Sequence, residues 1–289
     1  MKLADWSSCA ELVPKEHWAV PSWIDMDLFK ESAQLLEDQD IQYASKVSYH
    51  QMCRWNSGMF YKHPALKNYR YYWRIEPNVQ FFCNVDYDVF RYMEDHNKTY
   101  GFTINLYDAP QTIPSLWPET RAFLAANPSY LSDNNMWEWI TDSQARPGHT
   151  QGGNGYSTCH FWSNFEIGDL DFFRGEKYEA YFQHLDRAGG FFYERWGDAP
   201  VHSLGVGLFA DSNNVHWYVM PDRHLIFPYP NTLFLLGSVI SATTISHTST
   251  VPIHPNVPAV RPVNSSPAQT SSPRKTAGRP TSSMSEHTR

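Results

Sequence analysis

Hydrophobic and polar positions follow two periods along this chain, and the changes of period mark its elements. After Asp25, residues 26–39 bring Leu28, Leu35 and Leu36 near one face, which predicts a helix capped by Asp25. Residues 47–55 predict a second helix. Residues 69–75 are a run of rings closed by an isoleucine, the pattern of a buried strand. The strand ends in Glu76-Pro77-Asn78, where proline stops it and leaves a carboxylate at its C-terminal tip. Residues 100–107 predict another strand, 117–126 a helix entered through Pro118-Glu119, and 136–140 a short helix. Pro147 and the glycines of 143–155 predict a flexible loop placed to gate the stretch that begins at Tyr156. Residues 169–173 and 178–188 read as helices, with Phe182 and Leu185 on one face and Gly189-Gly190 at the end of the second. Residues 191–196 read as extended, and 201–209 as a helix or strand closing the core. From 243 onward Ser, Thr and Pro dominate, around a basic Arg274-Lys275, and the reading is disorder.

Length and charge narrow the class. The 289 residues suffice for one large α/β domain or two small ones. A net charge of -7, with no basic block before the tail, argues against nucleic acid as a partner. Cys9, Cys53, Cys83 and Cys159 show no Cys-x-x-Cys spacing, which argues against structural zinc and leaves all three disulfide pairings open. No signal peptide or bilayer-length apolar run is evident, since the apolar 233–240 is too short. Asn97-Lys98-Thr99 is a glycosylation sequon, usable only in the secretory pathway.

The chemistry concentrates in 156–203, where rings and carboxylates alternate more densely than packing requires. A sugar offers a rim of hydroxyls and an apolar C–H face. Glu166, Asn164, Glu194, Asp198 and His202 suit the rim, and Trp162 and Trp196 the face. A glycosyl centre also needs a carboxylate near the anomeric carbon. Glu76 falls where α/β sheets bind ligands, at the carboxyl end of a strand. Asp86 and Asp88 have metal-ligand spacing, although a helix cap before residue 89 explains them equally well. His202 reads more simply as a hydrogen-bonded structural histidine.

Four strings resemble a known family: 71–78 (YYWRIEPN), 93–102 (MEDHNKTYGF), 159–167 (CHFWSNFEI) and 189–203 (GGFFYERWGDAPVHS). They are similar to the fungal Golgi α-1,2-mannosyltransferases of glycosyltransferase family 15, over about 16–217. The resemblance implies an α/β, mixed-sheet nucleotide-sugar transferase fold of the GT-A-like kind. It implies transfer of mannose from GDP-mannose to a mannose 2-hydroxyl on a glycan acceptor, with retention and with Mn2+. Glu166 matches the family's proposed nucleophile, and Asp198 a carboxylate near the acceptor hydroxyl. Tyr49 matches a tyrosine at the donor phosphates, and Glu76 a manganese-side acid. Retention through a covalent intermediate and front-face attack both stay open. So does the acceptor, whether N-glycan, O-glycan or glycolipid.

The resemblance also implies a Golgi lumen or membrane location, and a chain that starts downstream of the family's anchor, stem and first strands. Residues 1–217 then form a partial catalytic domain, and 218–289 lie outside it. The family's Gly-Tyr-x-His and His-Cys-Pro segments, the first carrying a metal-binding histidine, do not follow Trp217. A shifted reading frame across 238–252 permits such a segment, which suggests an intron read through from Val219. His224 is an alternative ligand. The competing readings are an inactive or glycan-binding member of the family, and a glycoside hydrolase using Glu166 and Asp198.

Overall fold

Tyr71–Ile75 forms β1, as the run of rings predicts, and the fold is built around it. The computed structural model describes residues 19–76, 85–141, 155–218 and 239–241, which belong to one structural unit from Met1 to Val251. The expected loop over 143–154, the apolar 219–238 with His224, the tail from 242, Cys9 and Cys83 lie outside the described residues.

The strands after β1 are β2 (Tyr100–Phe102), β3 (Asn105–Tyr107), β4 (Cys159–Phe161), β5 (Phe165–Asp169), β6 (Val215–Trp217) and β7 (Val239–Ser241). Five of them form a mixed sheet in the order β6-β2-β5-β1-β7. Only β2 and β6 run parallel; the other pairs are antiparallel. The predicted single strand over 100–107 is broken. Its first half joins the main sheet and its second pairs with β4 in a separate ribbon.

The two faces of the main sheet divide the chemistry. Along β1 and β5, Tyr71, Trp73, Ile75, Phe165 and Ile167 share one face and pack with Val89, Phe90 and Met93. The opposite face carries Tyr72, Arg74 and Glu166, with Tyr100 and Phe102 of β2 beside them, as the period-2 pleat requires. It is covered by the larger apolar core.

Helix α1 (Met26–Glu37) starts where expected, the Asp25 carboxylate accepting from the Asp27 and Leu28 N–H groups. Its buried stripe is Phe29, Ala33 and Leu36, not Leu28 and Leu35, which are exposed. Helix α2 (Val47–Gly58) packs closely on a later helix: a Cβ on Gly58 would lie 2.1 Å from the Phe182 ring. Helix α3 (Val89–Asp95) is capped by Asp88, whose carboxylate accepts from the Phe90 and Arg91 N–H groups. That assigns Asp88 to the cap, while Asp86 is exposed. Helices α4 (Leu116–Ala126) and α5 (Trp137–Ile140) appear as predicted.

After α6 (Leu170–Phe173), helix α7 (Glu176–Ala188) buries Tyr178, Tyr181, Phe182 and Leu185 and ends at Gly189 in the left-handed region, φ 78°. Residues 191–196 were expected to be extended. Gly190–Tyr193 instead forms a helical turn, α8, which folds Phe191 and Phe192 into the core. Helix α9 (Asp198–Phe209) buries every residue except Ala199 and is the central helix of the large core. Its contacts bring the first turn of α9 beneath the sheet face that carries Arg74 and Glu166.

Candidate active site

Arg74 is a lone cation in a buried strand, and it organises the site. Its Nε and Nη2 donate to Glu76 Oε1 at 2.9 and 2.6 Å, and its Nη1 donates to Asp198 Oδ2 at 2.5 Å. Ser163 Oγ donates to the same Asp198 oxygen at 2.7 Å. Arg74, Glu76, Ser163 and Asp198 are all buried. Asp198 Oδ1 makes no hydrogen bond among the described residues.

Two opposite tunings result. Burial alone raises a carboxyl pKa, and it does so at Glu76 despite the Arg74 guanidinium. At Asp198 burial is outweighed by Arg74, then by His202 and the Ser163 hydroxyl, so its pKa falls below the ordinary value. Asp198 also begins α9, where the helix dipole favours an anion.

Glu166 lies directly opposite Arg74 in the β1–β5 register. Its Oε1 accepts from the Tyr72 hydroxyl at 3.0 Å. Its Oε2 accepts from the Tyr100 hydroxyl at 2.6 Å and from His202 Nδ1 at 3.0 Å. The other ring nitrogen of His202 lies 2.9 Å from the Asn56 carbonyl oxygen. Both ring nitrogens thus face oxygen atoms, an arrangement that the doubly protonated imidazolium satisfies. Burial opposes that charge, and the Glu166 carboxylate outweighs it, holding the His202 pKa above its ordinary value. His202 is therefore the structural histidine the sequence suggested.

Tyr49 belongs to a neighbouring cluster. Its ring stacks on Tyr43 at 5.0 Å between centroids, and its hydroxyl accepts from Arg195 Nη1 at 3.1 Å. Arg195 Nη2 stands 3.9 Å from Asp108 Oδ1, and its Nε is buried with no hydrogen-bond partner among the described residues. Trp196 is fully buried, which removes it as a stacking platform for a sugar. Its indole N–H donates to Glu194 Oε2 at 2.5 Å, and the Ser115 N–H donates to the same oxygen at 3.2 Å. Glu194 and Trp196 thus brace one another. Trp162 and Asn164 are half-buried next to Ser163, and the Asn164 carbonyl accepts the Glu76 N–H.

The sequence reading missed Arg74, Ser163, Tyr72 and Tyr100. Only Arg74 left a local signal, a single charge inside an aromatic strand. The others enter through register and through packing of distant elements. Cys53 is buried and free, and burial pushes its thiol pKa up, so it stays protonated.

Metal binding can be tested on the cluster itself. Among the described residues, Glu76 Oε2 is buried with no hydrogen-bond partner. An unpaired carboxylate oxygen is a hard donor of the kind a divalent ion takes. Glu76 fits one coordination position on that ground. Among the described residues no group of three or more His, Cys, Asp or Glu side chains is arranged to hold a metal. No described helix is long and apolar enough to cross a membrane.

A mixed sheet with Glu76 just past the end of β1, packed on one buried helix, fits the nucleotide-sugar glycosyltransferase class. The chain belongs to the glycolipid 2-alpha-mannosyltransferase family, whose sequence model matches residues 8–221. It is 50% identical over 203 residues to the probable mannosyltransferase KTR4 of Saccharomyces cerevisiae, covering 70% of this chain and 44% of that protein. It is 48% identical to glycolipid 2-alpha-mannosyltransferase 2 of Candida albicans, covering 71% and 43%. The chain thus spans less than half the length of these two relatives. Among solved structures it is similar to the Mn/GDP form of core-mannan synthase A from Aspergillus fumigatus. There the identity is 77% and the TM-score 0.70, with 71% of this chain and 55% of that chain covered. The GDP complex of S. cerevisiae Ktr4p gives 49% identity and a TM-score of 0.70, over 71% and 52%.

Proposed function

We propose that this chain carries the reacting centre of a retaining α-1,2-mannosyltransferase of the Golgi. It moves mannose from GDP-mannose to the 2-hydroxyl of a mannose on a glycan acceptor. The observation that carries the reading is Arg74, buried between Glu76 and Asp198 and opposite Glu166 in register. Three carboxylates face two cations there, Arg74 and His202, which leaves a buried negative charge. Such a centre suits a positively charged glycosyl transition state.

The roles follow from the hydrogen bonds. Glu166 accepts three donors and is almost fully enclosed, so both oxygens are committed and its nucleophilicity is low. It acts as a fixed anion that stabilises charge developing at the anomeric carbon. This favours front-face attack over a covalent intermediate. The acceptor oxygen then bonds to the anomeric carbon on the face from which the diphosphate oxygen departs. Asp198, held ionised with Oδ1 open, accepts the acceptor hydroxyl's hydrogen bond and receives its proton as the new bond forms. Tyr49 and Glu76 serve the donor end, with Arg195 holding the Tyr49 ring. Mn2+ is the expected cofactor, with Glu76 as one ligand; when bound, it neutralises charge on the departing GDP.

Calorimetry with GDP, with and without Mn2+, tests the donor reading. Manganese-dependent binding is expected, together with transfer from labelled GDP-mannose to an α-mannoside. Asp198→Asn should keep GDP binding and lose transfer by about 100-fold or more, the scale of a lost general base. A folded sample that binds mannoside but not GDP overturns the transferase reading in favour of glycan recognition alone.

A further inference from the structure

The transfer chemistry leaves one sequence motif unused. Asn97-Lys98-Thr99 has the spacing of an N-glycosylation acceptor. A sequon matters only if the folded protein can carry the sugar, and here the local structure is specific. Asn97 follows α3 in the left-handed region, φ 49°. Its N–H donates to the Glu94 carbonyl at 3.1 Å, and the Lys98 N–H donates to the Met93 carbonyl at 2.7 Å. These are the two bonds of a Schellman helix end.

The rest of the tripeptide is equally fixed. Lys98 Nζ donates to the Asn213 carbonyl at 2.7 Å. The Thr99 N–H donates to the Asn214 carbonyl at 2.8 Å, and the Thr99 carbonyl accepts from Asp169 N–H at 2.8 Å. The backbone of 97–99 is thus anchored at every residue. The Asn97 side chain is exposed and makes no hydrogen bond among the described residues. Helix α3 also packs on the sheet face opposite Arg74 and Glu166. A bulky group at its end leaves the reacting face open.

We propose that Asn97 is an N-glycosylation site, and that its glycan stands on the back of the sheet, away from the transfer centre. The proposal rests on the lumenal location that the mannosyltransferase reading carries with it. In the modification, the Asn97 amide nitrogen bonds to the anomeric carbon of an oligosaccharide carried on a polyprenyl diphosphate. The sugar–phosphate bond breaks, the polyprenyl diphosphate leaves, and the amide gives up one proton.

The geometry supplies an unusually mild test variant. Glycine is the preferred residue at a left-handed helix end, so Asn97→Gly removes the acceptor while satisfying the backbone. The chain is produced through a yeast secretory lumen, with an N-terminal tag carrying an independent sequon. Glycopeptide mapping separates Asn97 from Asn264-Ser265-Ser266, the other sequon in the sequence, which lies outside the described residues. Expected is a mobility shift at Asn97 that peptide N-glycosidase removes. It should be lost in Asn97→Gly and Thr99→Ala and kept in Thr99→Ser, with transfer activity unchanged in Asn97→Gly. A glycosylated tag on a chain bare at Asn97 overturns the proposal and leaves the lumenal reading intact. If protein isolated from its native source enters no glycosylating compartment, both fall together.

Discussion

Arg74 is worth most to the protein through what its loss would strand. Removing one partner of a buried charge cluster leaves the others unpaired in low dielectric, at a cost of about 3–5 kcal/mol. Arg74→Met should therefore lower the urea-unfolding free energy by about that amount, with Glu76 and Asp198 both left without the cation. His202 gives a pH signature. Its native pKa lies above the unfolded value, so the stability from its contact with Glu166 is complete below about pH 6.5 and is lost as pH rises through the native pKa. Urea titrations of wild type and His202→Gln should show their stability gap closing from pH 6 to pH 9. Asp198 has the opposite sense: its contribution is present above the ordinary carboxylate range and fades as pH falls. At this scale the sequence was legible where chemistry is local. Glu166 and Asp198 stood out as acids in an aromatic stretch. The hydroxyls of Tyr72 and Tyr100 did not, because a tyrosine's hydrogen-bond partner across a sheet is set by register, which no short window contains.

Among the elements, the helix ends were the most readable. Asp25, Asp88 and Gly189 act within three or four residues of themselves, so their roles can be inferred without the fold. Which face of a helix is buried depends on what it docks against. The α1 sequence suggested a face of Leu28, Leu35 and Leu36, and docking kept Leu36 but selected Phe29 and Ala33 in place of the other two. The 191–196 segment failed for a related reason. Its rings suit a strand, but following Gly189 they are drawn into the core as a helical turn. The α2–α7 contact yields a sharp test. Gly58→Ala gains helix propensity of up to about 1 kcal/mol, yet its Cβ would lie 2.1 Å from the Phe182 ring. The clash should win, with a net loss of about 1–2 kcal/mol in chemical denaturation. An unchanged or raised midpoint would mean that Phe182 moves aside.

For the whole molecule, ligand binding and folding are one equilibrium. A ligand that binds only the native state at a hundred times its dissociation constant adds about 2.7 kcal/mol of stability. GDP with Mn2+ should raise the thermal midpoint of this chain, and Glu76→Gln should abolish the manganese-dependent part of the rise. A shift equal in both proteins would remove Glu76 from the donor end. The mixed α/β class was legible from the order of strand-like and helix-like segments. The strand order was not, because β1 pairs with a strand far along the chain. That distance also governs how the protein comes into being. Tyr72 and Glu166, joined by a hydrogen bond in the finished sheet, are separated by 94 positions in sequence. A ribosome adding about 5–20 residues per second needs on the order of ten seconds to bridge that gap. For that time β1, with the Arg74 cation among its rings, has Glu76 beside it but neither its central partner strand nor the distant carboxylates Glu166 and Asp198. The centre is thus born late and all at once, and the emerging chain must be sheltered until β5 arrives.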